Sequence, residues 1–176
     1  MKKSAQTQLH ISVAKQRLSL KRGRVTERTY PISTSKFGLG SKEGSYKTPS
    51  GRFRIAEKIG DGLPIDTAYK ARVPIRASAA ELNSDDLVMS RILWLDGLEP
   101  ENANTHERYI YIHGTNHEEQ IGQPASHGCV RMKNADVAEL FELVEVGTPV
   151  VIAPPKPRGR LVKKPNKSIA QGVQPA

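Results

Sequence analysis

The chain has 176 residues, 37% hydrophobic but only 5% aromatic, enough for one domain with an aliphatic core. Its formal charge of +9 is carried by the ends: residues 1–28 sum to +7 and residues 154–176 to +6, leaving −4 between them. A single cysteine excludes an intramolecular disulfide, and no run of about 20 apolar residues is present to cross a membrane as a helix.

From the start, the residues Met1 to His10 have the basic opening of a signal peptide without the apolar run of about 7 to 15 residues that follows one. Residues 1–7 read as a flexible N-terminus. Leu9, Ile11 and Val13 alternate with polar residues, as do Leu18 and Leu20, and the turn Lys21-Arg22-Gly23-Arg24 joins that second strand to a third over residues 25–35. The Gly/Ser loop from Phe37 to Ser45 fits neither the dinucleotide fingerprint nor the P-loop, and no amphipathic helix follows it, so it is not a phosphate cradle. Residues 53–59 predict a strand, and Gly60 to Pro64 a turn. Residues 64–90 carry the weakest pattern, with a short helix or irregular insertion over 77–87 that edges a cleft. Residues 91–98 predict a strand with Trp94 as its largest core side chain. Val137, Leu140, Phe141 and Val144 recur at i, i+3, i+4 and i+7, a helix with Asp136 as N-cap and Glu139 behind it. Gly147-Thr148-Pro149 stops it before a last strand over 150–153. The basic stretch 154–176 lacks apolar periodicity and reads as a disordered, solvating tail, with weak attraction to anionic surfaces as the alternative.

Chemistry concentrates between Tyr109 and Met132. Cys129 lies in Ser126-His127-Gly128-Cys129-Val130-Arg131, with four of the five histidines (His106, His113, His117, His127) in the preceding 23 residues. A cysteine attacks as its thiolate, and a neighbouring imidazole that takes the proton is the usual way to form it. Tyr109, Tyr111 and His113 alternate with Ile110 and Ile112, placing His113 at the end of a strand, where Gly114 lets the backbone turn away. Gly128 leaves room beside the thiol for a substrate carbonyl, and the amides of Gly128 and Cys129 are candidate oxyanion donors. His113, His117, His127 and Cys129 are legitimate zinc ligands, but neither HExxH nor paired CxxC spacing is present, and no metal or other cofactor is expected.

His113-Gly114-Thr115 followed by Ser126-His127-Gly128-Cys129-Val130-Arg131-Met132 resembles the catalytic motif of the L,D-transpeptidases, the YkuD-like family of peptidoglycan cysteine acyltransferases. Thr48-Pro49-Ser50-Gly51-Arg52-Phe53 is similar to that family's TPxGxF segment, and Tyr30 to Ser35 to the strand before it. The resemblance implies a mainly β, sandwich-like catalytic domain over residues 8–153, with one helix after the nucleophile loop and a short insertion. It implies Cys129 as acyl-enzyme nucleophile and His113 as general base and acid. Gly114 would orient the imidazole through its carbonyl, while Ser126, His127 and Gly128 shape the loop; Ser126 and His127 have the alternative of holding and packing that loop without reacting. Arg131 either binds a substrate carboxylate or pairs with a local acid.

The implied substrates are peptidoglycan stem peptides or muropeptides, cut between the L-centre of diaminopimelate and D-Ala. With no export signal visible, the expected location is the cytoplasm, or the periplasm for an incomplete N-terminus. From that location the expected outcome is hydrolysis, an L,D-carboxypeptidase of muropeptide recycling, with transpeptidation as the alternative. A basic nucleic-acid-binding module is a more remote alternative, because no recognition motif or interleaved aromatics accompany the charge.

Overall fold

The computed structural model describes residues 6–84 and 86–155. Strands dominate, in the order β1 (Thr7–Ser12), β2 (Arg17–Arg22), β3 (Val25–Pro31), β4 (Gly51–Ile59), β5 (Ala68–Lys70), β6 (Val73–Ile75) and β7 (Val88–Gly97). β8 (Tyr111–Thr115), β9 (Val130–Met132) and β10 (Pro149–Ala153) complete them; α1 (Ala79–Ser84) precedes β7, and α2 (Asn134–Leu143) lies between β9 and β10. Thr7 already belongs to β1, inside the stretch expected to be flexible, and the expected tail lies outside the described residues beyond Pro155.

All ten strands form one mixed sheet. Its main path runs β3-β2-β1-β10-β4-β7-β5-β6, while β8 pairs with β7 and β9 with β8. β1 and β2 alternate as their sequence does, with Leu9, Ile11, Leu18 and Leu20 fully buried. These side chains share one core with Leu93 and Leu95 of β7, Ile112 of β8, Val130 and Met132 of β9, and Val137, Leu140 and Phe141 of α2. The β1–β2 and β7–β9 parts of the sheet therefore share a common aliphatic layer, and the backbone pair between Ser33 and Arg131 ties the segment after β3 to β9. A second cluster lies on the opposite face of β7 and β8: Tyr69, Ile92, Trp94 and Tyr111, with Cys129 packed against it.

Three expectations need correction. His113 does not end its strand: β8 continues to Thr115. A β-bulge between Met89 and Ile92, with Ser90 at φ 64°, lets β7 follow β8 through this point, so the local device is a bulge rather than a chain turn. Helix α2 starts at Asn134 with Lys133 in the N-cap position, leaving Asp136 in the first turn, where its carboxylate faces the positive end of the helix. Residues 64–90 hold the β5–β6 hairpin besides the short helix. Among the described residues no helix is long and apolar enough to cross a membrane.

Candidate active site

β8 and β9 run parallel, with Ile112 opposite Val130 and His113 opposite Arg131. Cys129 directly precedes this ladder. By strand alternation, Tyr111, His113, Cys129 and Arg131 share one face, and His113 and Cys129 are diagonal neighbours on it. The opposite face sends Ile112, Val130 and Met132 into the aliphatic core, which fixes the register.

His113 is 4% exposed. Its Nδ1 lies 2.5 Å from the Gly114 carbonyl oxygen. A carbonyl can only accept, so Nδ1 carries the hydrogen and Nε2 is left as the basic nitrogen. Gly114 is itself required by close packing: a Cβ there would run into the Asn134 side-chain oxygen and the Met89 carbonyl. Asn134 grips the same strand, accepting from the Thr115 amide at 2.9 Å and donating to the Thr115 carbonyl at 3.0 Å. Nothing in the local sequence marks Asn134 for this task except its place at the start of a helix.

The Cys129 sulfur accepts from the Tyr111 amide at 3.4 Å and donates to the Tyr109 carbonyl at 3.3 Å. Tyr109 holds φ at 56°, a costly conformation for a tyrosine, and its carbonyl is the one that receives the thiol. The loop before Cys129 is pinned from two sides. The Ser126 hydroxyl donates to the Cys129 carbonyl at 2.6 Å, and the Thr48 hydroxyl donates to the Gly128 carbonyl at 2.9 Å. Thr48 thus supplies the physical reason for the Thr-Pro-x-Gly segment beside this loop. Gly128 has φ 126°, where a side chain is strained, whereas a Cβ would meet only ordinary contacts; its role is conformational rather than to leave space. Its amide donates to the Ser126 hydroxyl at 3.3 Å.

His127 projects outward and packs on Phe37 and Tyr46, with ring centroids 5.8 and 6.1 Å away. Arg131 is 2% exposed, and it is paired with a local acid: its guanidinium bonds Asp86 and the Gln120 side chain, the latter at 3.1 Å. Asp86 also meets His127 Nδ1 at 3.3 Å. His106 stacks on Trp94 at 4.0 Å and pairs with Glu57. Among the described residues no group of three or more His, Cys, Asp or Glu is arranged to hold a metal.

The electrostatics keep both central groups neutral. Burial pulls the His113 imidazole well below 6.5, against the upward pull of the Gly114 carbonyl and then Asp86. Cys129 retains some exposure, yet burial of its sulfur pushes the thiol up to about 11, opposed first by the Tyr111 amide. Asp86 raises both groups and Arg131 lowers both, so this ion pair largely cancels its own field at the thiol.

Residues 6–152 match the model of the L,D-transpeptidase catalytic domain, YkuD. The chain belongs to this family. Among curated L,D-transpeptidases, the putative enzyme YqjB of Bacillus subtilis is 50% identical over 48 residues, 27% of each chain. The probable enzyme YbiS of Escherichia coli K12 is 56% identical over 43 residues, 24% of this chain and 14% of that one. The matched stretches thus span about a quarter or less of these relatives' length. The L,D-transpeptidase of Xylanimonas cellulosilytica shares the fold at a TM-score of 0.56 and 19% identity, over 87% of this chain and 63% of that one. The enzyme of Mycobacterium smegmatis does so at 0.54 and 16%, over 85% and 59%. The L,D-transpeptidase family works by acyl transfer on peptidoglycan peptides, and the β8–β9 face is where this member carries a thiol and an imidazole together.

Proposed function

We propose that this YkuD-family chain cleaves the bond between an L-centre and a terminal D-amino acid of peptidoglycan stem peptides, with Cys129 as nucleophile and His113 as general base and acid. The observation that carries this reading is the placement of Cys129 and His113 as diagonal neighbours on one face of paired strands, with His113 Nδ1 engaged by Gly114 and Nε2 left basic. In the first step the thiol proton leaves the Tyr109 carbonyl and passes to Nε2 while sulfur attacks the peptide carbonyl. The amine of the D-amino acid departs with the proton from His113, and the L-centre remains as a thioester on Cys129. Because both groups rest in neutral form, proton transfer accompanies attack instead of preceding it as a stored ion pair.

Water then completes an L,D-carboxypeptidase cycle, trimming tetrapeptide to tripeptide and regenerating the thiol; soluble muropeptides suit such a cycle. The partial exposure of Cys129 supports this outcome, since a thioester there is within reach of solvent. The names of the curated relatives favour the second reading, transfer to an amine that yields a cross-link or exchanges the D-amino acid. Mass spectrometry with a diaminopimelate tetrapeptide, with and without an added D-amino acid, separates the two. Tripeptide formation that persists with amine present and disappears in Cys129→Ala is the expected result. Predominant exchange selects the transferase, and turnover that survives in Cys129→Ala refutes the nucleophile.

A further inference from the structure

Arg72 is a cationic side chain beside the site that the sequence left unremarked. It sits at the tip of the β5–β6 hairpin, whose two connecting residues, Ala71 and Arg72, have φ 47° and 69°. A two-residue hairpin turn with both φ values positive is normally built from Asn-Gly or similar pairs, and ordinary residues are held there at a cost in backbone strain. The strain delivers the guanidinium onto aromatic surface. It lies 4.8 Å from the Trp94 ring centroid and 5.0 Å from that of Tyr109, and donates to the Tyr111 hydroxyl at 3.1 Å.

This charge is held in place without being neutralised. Aromatic faces attract a cation but leave it a cation, and a guanidinium has five N–H donors, of which one is committed to Tyr111. Among the described residues Arg72 forms no ion pair. Glu57, which acts on it from a distance, is paired with His106. Arg131, by contrast, is buried and already holds Asp86. The two residues beneath Arg72 are those that touch the thiol: Tyr109 through its carbonyl and Tyr111 through its amide. The guanidinium therefore stands at the hydroxyl end of Tyr111, whose amide touches the sulfur, on the wall formed by Trp94, Tyr109 and Tyr111.

We infer that Arg72 is a specificity-determining residue that binds a carboxylate on the side chain of the acyl-donating residue. A carboxylate on the leaving D-amino acid is only two bonds beyond the scissile nitrogen, too close to the sulfur for this position; a side-chain carboxylate several bonds away matches it. The inference rests on the reading of Cys129 as the acyl acceptor.

The test uses two stem tetrapeptides that differ at one group, a carboxylate or a carboxamide on the side chain of the donating residue. The wild-type chain is expected to prefer the carboxylate through KM by roughly 10- to 100-fold, the range of a charge-assisted hydrogen bond. Arg72→Ala is expected to erase that preference, bringing the carboxylate donor to the level of the carboxamide, and Arg72→Lys to restore part of it. A wild type indifferent to the exchange, or an Arg72→Ala loss equal on both donors with the preference intact, overturns the inference. A wild type with no Cys129-dependent turnover of either donor overturns the reading of the thiol, and the inference with it.

Discussion

In the proposed mechanism the proton on Cys129 must leave as substrate is attacked, and the residues around it hold that proton firmly. The sulfur donates to the Tyr109 carbonyl, and burial raises the thiol to about 11. Alkylation by iodoacetamide is therefore expected to be slow at pH 7 and to rise about tenfold per pH unit toward pH 10. A rate already at its plateau at pH 7 would show a preformed thiolate. Asp86 is the residue to alter. Its carboxylate raises the thiol pKa and balances buried Arg131, so Asp86→Asn leaves a positive charge unopposed beside the sulfur. The thiol pKa then falls, and alkylation at pH 8 is expected to accelerate about threefold or more. The same variant loses stability, because a buried guanidinium gives up its anionic partner. Unchanged alkylation in a folded Asp86→Asn protein would remove Asp86 from the electrostatics of the site.

Elements whose burial follows a simple period were legible from the sequence. Alternation marks β1 and β2, and the i, i+3, i+4, i+7 spacing marks α2, because in each case one face packs on the aliphatic core. Elements fixed by distant partners were not legible. The β5–β6 hairpin has no Asn-Gly turn, and its strands show little alternation. Asn134 looks like an ordinary polar residue until the fold brings Thr115 to it, and Thr48, marked by its motif, shows its partner, the Gly128 carbonyl, only in the fold. Lys58 is another such case. Its ammonium donates to the Phe141 and Val144 carbonyls, each at 2.7 Å, and lies 4.2 Å from the Phe141 ring centroid. These are orphan carbonyls at the C-terminal end of α2, so a β4 cation closes the helix that backs β7 and β8. Lys58→Met keeps most of the apolar stem but removes both charged hydrogen bonds, and is expected to cost about 1–3 kcal/mol in urea unfolding. A cost below about 0.5 kcal/mol would make the contact incidental.

At the scale of the whole molecule, the site's neutral groups set limits on stability at both ends of the pH range. His113 has a folded pKa below its unfolded 6.5, and His10 is lowered too, by burial and then by Lys21. Between the two values the unfolded chain binds protons that the folded chain refuses, so stability is complete above 6.5 and is lost as pH falls below it. Cys129 has the opposite limb. Its folded value of about 11 lies above its ordinary 9, so the unfolded thiol ionises first and stability is lost as pH rises above 9. Tyr30, raised by burial to about 12, extends that loss to higher pH. Thermal unfolding is expected to show a plateau in Tm between about pH 6.5 and 9, falling on either side. The cause is separable by mutation: His113→Asn should shrink the acid limb to the part that His10 contributes, and Cys129→Ala should flatten the alkaline limb just above pH 9. Limbs that persist unchanged in both folded variants would place the titrating groups elsewhere in the chain. Limbs that shrink in this way would show that the neutrality of the thiol–imidazole pair, on which the proposed concerted proton transfer depends, is built into the folding energy of the sheet.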